Sequence, residues 1–335
     1  MKKKILDGIK LFLQESLCFF IGALIAFIIL SIKVPYSIYT PGGLVNLEKR
    51  LSGDVIKSKG SLNMTYVSIL EGNIPTYLLS KILPSWDAIK NEDIVMEGET
   101  IEIENKRGRI ALYESISNAI YTAYTEAGIT PITTSEKDYV YYVLEEAKTD
   151  LQVGDLILEV DGKKVTKSTD LPEFLASKKE GDKFTIKVKR GKKELDIKGE
   201  TIKINGEVKI GFMEKNIKEY QNKPSIEYTY TSSEYGPSGG LMMSLAIYNA
   251  LTEEDITKGY KISGTGTIKP DGTVGEIGGV KYKLSGAVKK KSKVFIVPEE
   301  NYEEAMQLKK KNKYKIEIKK AKNFSDVVKA LKELK

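Results

Sequence analysis

The feature that most limits how this chain can fold is an apolar run near its start, residues 17–32, which read LCFFIGALIAFIILSI. No charge falls between Glu15 and Lys33. With Leu11 to Leu13 added, the stretch is long enough to cross a bilayer core of roughly 30 Å. The pattern therefore predicts a transmembrane signal anchor over residues 11–33.

The basic residues before this run predict its orientation. A cytoplasmic tail, residues 1–10, carries four lysines, namely Lys2, Lys3, Lys4 and Lys10. The positive-inside rule then keeps the N-terminus in the cytoplasm and sends the rest of the chain outside, as a single-pass protein of the cell membrane. A cleaved signal peptide and a buried core helix are the alternatives. The run is long for a signal peptide, and no A-x-A-like site follows it.

Two residue counts exclude whole classes of chemistry. The 335 residues contain no histidine and one cysteine, Cys18, which lies in the apolar run. A Ser-His-Asp triad, a Cys-His pair, an HExxH zinc site and a CxxC knuckle are therefore excluded, and no GxxxxGK[ST] motif is present to bind ATP. The net charge of +7 is mild and mixed along the chain, so no nucleic-acid partner is predicted. An enzyme built from this chain would use carboxylates, hydroxyls and lysine, without a cofactor or metal.

The region after the anchor, residues 34–134, mixes strands and helices. Its patterns predict a turn at Pro41–Gly43, a strand over Met64–Leu70, and helices over Pro75–Leu83 and Glu114–Glu126. In the second helix apolar residues recur at helical spacing, and Gly128 follows its end.

A β-rich unit is predicted over residues 135–203. The segment LQVGDLILEVDGKKV (151–165) alternates apolar and polar residues and contains an Asp161–Gly162 turn, and a short helix over Thr169–Ser177 follows. This stretch resembles a bacterial PDZ domain. The resemblance implies that an extended peptide adds as a strand beside the short helix, although no carboxylate-binding loop is recognisable. The alternative is a PDZ fold kept as a spacer.

The third region, residues 206–335, alternates strands and helices and contains the segment Gly236-Pro237-Ser238-Gly239-Gly240. The serine falls between a strand and a helix start, where free N–H groups and the helix dipole favour an oxyanion. The same loop could equally be an ordinary turn. Without histidine, a lysine made neutral by burial can activate the serine. Lys281 and Lys283 lie on one predicted helix about 200° apart, so only one can face the serine, and the pattern leaves both open.

The motifs of this third region resemble the proteolytic domain of Lon-type proteases. GPSGG and TGTIKPDGTVGEIGGVKYK (265–283) are similar to the family's GPSAG and TGE…IGGLKEK. The resemblance implies that Ser238 is the nucleophile and Lys283 the general base, that Thr265 helps to orient the lysine, and that Gly236, Pro237 and Gly239 support the serine. This chain departs from the family with glycine at 239, with Thr267 in place of glutamate, and with SEY at 233–235 before the serine loop.

The whole layout resembles the membrane-anchored PDZ–Lon proteases of Gram-positive bacteria. The expected fold is one N-terminal transmembrane helix, a PDZ-like β-rich domain and an α/β (α+β) Lon-type proteolytic domain, with the PDZ unit inserted into a protease fold that begins before residue 70. The implied function is an ATP-independent, membrane-tethered serine endopeptidase acting on secreted peptides or unfolded proteins. The resemblance also allows a homo-oligomer. The alternatives are an inactive-protease PDZ scaffold and a cell-wall tether that uses the lysine runs at 289–291 and 309–311.

Overall fold

A computed structural model describes residues 2–334, with side chains for Phe12 and from Ser16 onward. The α-helices are α1 (Lys2–Ser31), α2 (Ile74–Ile82), α3 (Ile101–Glu126), α4 (Asp170–Leu175), α5 (Gly240–Leu251), α6 (Val280–Lys289), α7 (Tyr302–Asn312) and α8 (Phe324–Lys332).

The strands make two large sheets and three small pairs. They are β1 (Lys33–Asn46), β2 (Leu51–Gly53), β3 (Ser61–Asn73), β4 (Asp87–Lys90), β5 (Ile132–Val143), β6 (Lys148–Thr149), β7 (Leu156–Val160), β8 (Lys163–Lys164), β9 (Lys183–Arg190), β10 (Lys193–Glu200), β11 (Ile202–Ile204), β12 (Glu207–Lys209), β13 (Phe212–Gln221), β14 (Ile226–Tyr228), β15 (Lys261–Gly264), β16 (Thr267–Ile268), β17 (Val274–Gly275), β18 (Val294–Pro298) and β19 (Glu317–Ala321).

The predicted transmembrane helix over residues 11–33 is wrong. No helix in the described part of the chain is both long and apolar enough to cross a membrane. Helix α1 ends at Ser31, and β1 begins at Lys33. Its uncharged part after Glu15, residues 16–31, rises about 24 Å, whereas a bilayer core is roughly 30 Å thick. The predicted tail falls on Met1, which lies outside the described residues, and on the first turns of α1.

The chain divides into two compact units, and the smaller one consists of the residues up to Pro41 together with Val67–Glu97. Within it β1 and β4 pair antiparallel, with Ser37 opposite Ile89. Helix α2 confirms the helix predicted from Pro75. It begins at a capping box in which the Asn73 side chain accepts from the N–H of Thr76.

The larger unit consists of Gly42–Tyr66 and the chain from Gly98 onward, and its main sheet has the order β19-β18-β15-β3-β1. Strands β15, β18 and β19 are parallel neighbours, and β15 also runs parallel to β3, with Gly264 opposite Met64. Both faces of this sheet are covered. Val294 and Ile296 of β18 enter one apolar core, and Phe295 and Val297 enter another. Strands buried on both faces have nearly continuous apolar sequences, which is why VFIV at 294–297 is readable as a strand.

The segment Pro41–Gly43, predicted as a turn, lies instead inside β1. A Cβ placed on Gly42 would come within 2.1 Å of the carbonyl oxygen of Tyr66. The glycine therefore permits two segments of backbone to approach closely, and it does not reverse the chain here.

The second sheet has the order β13-β5-β7-β9-β10-β6. Strands β9 and β10 pair antiparallel, with Ile186 opposite Ile197 and Val188 opposite Leu195. Asp161 and Gly162 both have positive φ, 46° and 77°, as a two-residue hairpin turn requires. Strand β13 forms the edge and pairs with β5 along its length, although it follows the predicted end of this unit at residue 203. The domain boundaries inferred from the sequence stay predictions.

Helix α3 is twice as long as the predicted Glu114–Glu126. It begins at Ile101, after Thr100 has capped the N–H of Ile103. The first half of α3 was not predicted because its sequence shows no apolar stripe. Its buried Arg107 is instead paired with Glu99 and Glu104. Helix α3 packs on both α5 and β13.

Candidate active site

Ser238 lies in the turn directly before α5 and is half-buried. Its carbonyl oxygen accepts two hydrogen bonds, from the Thr265 hydroxyl at 3.0 Å and from the Gly266 N–H at 2.8 Å. Thr265 is fully buried and follows β15 directly. The end of a central strand thus holds the backbone of Ser238. Thr265, predicted to orient the lysine, directs its hydroxyl to this carbonyl.

The residues just before Ser238 are held by α3. Gly236 has φ 87° and donates its N–H to the carbonyl of Gly108 at 2.8 Å. The carbonyl of Pro237 accepts from the buried Ser115 hydroxyl at 3.0 Å. The predicted supporting residues therefore act through their backbone, with their partners on a helix more than 100 residues earlier in the chain.

The two glycines after Ser238 lie against neighbouring side chains. A Cβ on Gly240 would come within 2.7 Å of both Ile268 Cγ2 and Ser115 Oγ, so this position has no space for a methyl group. A Cβ on Gly239 would come within 2.8 Å of Met64 Sδ, so the flexible Met64 side chain would have to shift for the alanine that the resembled family has there.

The N–H groups of Ser238 and Gly239 donate no hydrogen bond to any residue that the structure describes. Both precede the first turn of α5, where backbone N–H groups and the helix dipole attract negative charge. This arrangement can bind an oxyanion beside the Ser238 hydroxyl.

Lys283 lies on the buried face of α6 and is only 4% exposed. Its helix neighbours Val280, Leu284 and Ala287 belong to an apolar core. Burial alone lowers the pKa of Lys283 to about 8, because the charged ammonium loses its water. Among the side chains that the structure describes, no carboxylate pairs with it. At that pKa a substantial fraction of the amine is neutral near pH 8, so Lys283 can act as a base.

Lys281 lies in a different environment on the same helix. It is half-buried, and its amine stands 5.5 Å from the centre of the Tyr282 ring. The sequence did not decide which of the two lysines faces the serine. In the structure, Lys283 is more deeply buried than Lys281. The amphipathic packing of α6 therefore makes Lys283 the better candidate for a neutral amine.

The structure joins the predicted site residues through β15. Thr265 contacts Ser238 directly, and α6, which carries Lys283, packs on β15. The start of α6 is fixed by buried Asn301, whose side chain bonds both the N–H and the carbonyl of Ile277, at 2.9 and 3.0 Å. The Ser238 hydroxyl and the Lys283 amine do not hydrogen-bond to each other here.

A row of polar side chains on α3 was missed by the sequence reasoning. The side chains of Ser115, Asn118 and Thr122 donate to the carbonyls of Pro237, Ile268 and Lys269, at 3.0 to 3.1 Å. Positions i, i+3 and i+7 share one face of a helix. That spacing is a readable signal for a helix face that binds backbone carbonyls.

Two family models match this chain. Residues 231–333 match the Lon protease (S16) C-terminal proteolytic domain, and residues 128–201 match the PDZ domain. Among curated relatives, the Lon protease of Trichlorobacter lovleyi is 34% identical over 94 residues, which cover 28% of this chain and 11% of that protein. The Lon protease of Desulfatibacillum aliphaticivorans is 37% identical over 83 residues, 24% of this chain and 10% of that protein. The chain thus spans about a tenth of the length of these relatives.

Among solved structures, the PDZ domain of an SdrC-like protein from Listeria innocua is 34% identical, with 23% of this chain and 92% of that chain covered and a TM-score of 0.22. The PDZ domain of an SdrC-like protein from Listeria monocytogenes is 28% identical, with 25% of this chain and 90% of that chain covered and a TM-score of 0.22. A region similar to the Lon proteolytic domain and a region similar to PDZ domains are therefore both found in this one chain.

Proposed function

We propose that this protein is an ATP-independent serine endopeptidase in which Lys283 activates Ser238. The burial of Lys283, 4% exposed and without a carboxylate partner in the described chain, carries the proposal. A solvated surface lysine stays charged at neutral pH and has no lone pair to accept a proton. A buried lysine that is neutral part of the time can accept one.

The reaction follows from the groups present. Neutral Lys283 takes the proton from the Ser238 hydroxyl as Oγ bonds to the peptide carbonyl carbon. The carbonyl oxygen becomes negative and accepts from the N–H groups of Ser238 and Gly239. As the C–N bond breaks, the Lys283 ammonium returns the proton to the leaving amine. Lys283 then takes a proton from water, which attacks the acyl ester, and the proton goes back to Ser238 as the acid is released.

Thr265 and Gly266 act as positioning residues in this scheme. Their two hydrogen bonds to the Ser238 carbonyl hold the backbone that carries both the nucleophile and the oxyanion donors. The hydrogen bond between Ser238 and Lys283 would form when substrate closes the site, as catalytic hydrogen bonds commonly do.

The substrates we propose are peptides and unfolded protein segments. The sequence has no P-loop with which to drive unfolding by ATP hydrolysis. The peptidase would therefore act only on chains that are already extended. The PDZ-like region supplies a second surface where such a chain could be held.

The first experiment mixes the purified full chain with denatured casein in the absence of ATP and follows fragments by mass spectrometry. The comparison is wild type, Ser238→Ala, and Ser52→Ala as a control at an exposed serine on β2. We expect fragments with wild type and Ser52→Ala and none with Ser238→Ala. Fragments that persist in Ser238→Ala would contradict the assignment, and the absence of cleavage by any form would favour the inactive scaffold.

A second comparison tests the base. Lys283→Ala should lower kcat by about 10³-fold or more, because the serine loses its proton acceptor. Lys281→Ala, two residues away, should stay within about threefold of wild type. The reverse order of effects would assign the base to Lys281.

A further inference from the structure

A cavity of about 570 Å³ lies between the first half of α3 and the ends of strands in the second sheet. Glu102 to Tyr113 of α3 form one wall, and the segments Gln152–Leu156 and Lys189–Gly191 contribute to the other. A cavity of this size is in the range of small-ligand sites. It is separate from the Ser238 and Lys283 site, since neither residue lines it.

The lining of the cavity is strongly basic. Five basic side chains and two acidic ones line it, which leaves an excess of three positive charges. The basic residues are Lys106, Arg109, Lys137, Lys189 and Arg190. A concave site lined by one sign of charge concentrates ligands of the other sign.

The five cations differ in how firmly they are already paired. Arg190 is committed, since it forms a bidentate pair with buried Asp155 with both N–O distances at 2.7 Å. Lys106 and Lys137 pair with Glu102 and Glu219 at partly exposed positions, where ion pairs contribute little and exchange readily. Lys189 is exposed and has no ion pair within the described residues.

Two tyrosines also line the cavity, Tyr113 from α3 and Tyr139 from β5. Their rings are tilted by 48° with centres 5.8 Å apart. Burial raises the pKa of Tyr113 to about 12, and a hydrogen bond between its hydroxyl and Tyr230 adds to the effect, so the hydroxyl stays neutral.

One cation links the cavity to the loop before Ser238. Arg109 donates to the carbonyls of Thr231, at 3.0 Å, and Ser232. The preceding residue, Gly108, accepts the N–H of Gly236. A guanidinium has five N–H donors, so Arg109 can hold this loop and a ligand at once.

We propose that this cavity binds a small multiply charged anion with carboxylate or phosphate groups, and that Arg109 couples its occupancy to the loop leading to Ser238. Lys189, Lys106 and Lys137 supply the charge, and Arg109 supplies planar, paired donors suited to both groups. The same chemistry could come from a free anion or from acidic side chains of a peptide.

Binding is tested first, by titration calorimetry on the full chain. The probes are inorganic pyrophosphate, citrate and a tetraglutamate peptide, which distinguish a free anion from acidic side chains. We expect saturable binding of at least one probe that weakens with added salt. Lys189→Gln should weaken it about tenfold, whereas Lys198→Gln, an exposed lysine on β10 outside the cavity, should not. Equal affinities in wild type and Lys189→Gln, or no binding of any probe, would overturn the site.

The coupling is tested by casein cleavage, and this arm rests on the proposed peptidase function. A saturating probe should change kcat/KM of wild type and Lys198→Gln by at least about threefold relative to NaCl of equal ionic strength, and Lys189→Gln should need about ten times more probe for the same half-maximal change. Ser238→Ala should bind the probe as wild type does. If a probe binds but no form cleaves casein, the peptidase function is wrong and the anion site stands. If a probe binds and does not change the rate of casein cleavage, the coupling is wrong.

Discussion

Helix α5, which follows Ser238, and helix α6, which carries Lys283, each start at a pair of glycines, but they use the pair for different reasons. At the start of α5, Gly240 is needed because a Cβ there would collide with Ile268. Before α6, a Cβ on Gly278 would meet nothing within 4 Å, and Gly279 is needed for its left-handed φ of 75°. The same dipeptide thus serves close packing at one helix and backbone conformation at the other.

The two helices also differ in what they bury. Helix α5 is apolar and buried along nearly all its length, so its chemistry is confined to the turn at its start. Helix α6 is amphipathic and buries a lysine among apolar residues. Ser238 is therefore held by backbone hydrogen bonds, whereas the lowered pKa of Lys283 comes from lost solvation. Four predictions test this difference, from the largest expected effect to the smallest.

The largest effect concerns the cost of burying Lys283. Its pKa of about 8 in the folded protein lies below its ordinary value of 10.5, so the unfolded state binds the proton more tightly. Lys283→Met should therefore raise the free energy of unfolding at pH 7 by roughly 3 kcal/mol while abolishing cleavage. Urea unfolding at pH 7 measures this free energy. Lys281→Met is the control, and its free energy of unfolding should differ little from that of wild type.

The same substitution has a defined pH window. Below about pH 8 both states hold the proton, and the full cost of burial is present. Between about pH 8 and 10.5 the folded protein has released the proton and the unfolded chain has not, so wild-type stability rises with pH. The advantage of Lys283→Met should shrink across this window. An advantage that stays constant from pH 7 to 10 would contradict the burial argument.

Glycine substitutions should separate the two helix starts. Gly240→Ala should destabilise the protein by about 2–3 kcal/mol, because Ile268 and Ser115 leave no space for a methyl group. Gly278→Ala, where the space is open, should change stability by less than about 0.5 kcal/mol. Thermal unfolding of the two variants tests the contrast. Similar losses at both sites would mean that the glycine pairs serve one purpose.

The pH dependence of cleavage should follow the base. If neutral Lys283 is required, kcat/KM should rise about tenfold between pH 7 and pH 9 and level off above its pKa of about 8. The measurement uses an uncharged fluorogenic peptide, so that substrate ionisation does not contribute. A flat profile from pH 6 to 9 would exclude a titrating lysine as the base.

The smallest effects concern two serines on α3. Ser115 donates to the Pro237 carbonyl at the start of α5, and Ser117 donates to the Lys218 carbonyl at the edge of the second sheet. Each alanine variant should lose about 1 kcal/mol of stability. Only Ser115→Ala should also lower kcat, by several-fold, because it alone loosens the loop that carries the nucleophile. A fall in kcat with Ser117→Ala instead would place the control of the site in the second sheet.

Much of the fold was readable where a local pattern was strong. The Asp161–Gly162 turn and the helix predicted from Pro75 were both identifiable, because turn chemistry and helical spacing act over a few residues. The first half of α3 was missed because Arg107 is buried by ion pairs rather than by an apolar stripe. The Pro41–Gly43 segment was misread because glycine marks turns and close strand contacts alike.

The sequence by itself limited the kind of chemistry available, since a chain without histidine offers only carboxylates, hydroxyls and lysine for acid–base work beside the serine of GPSGG. It also determined the short-range structure, including the glycines before both helices. Only the tertiary structure decided that Lys283 is buried more deeply than Lys281, that α3 holds the Ser238 loop, and that five basic residues from three segments line one cavity. The physical reason is that burial and charge environment are created by residues far apart in the chain, and no local pattern records them.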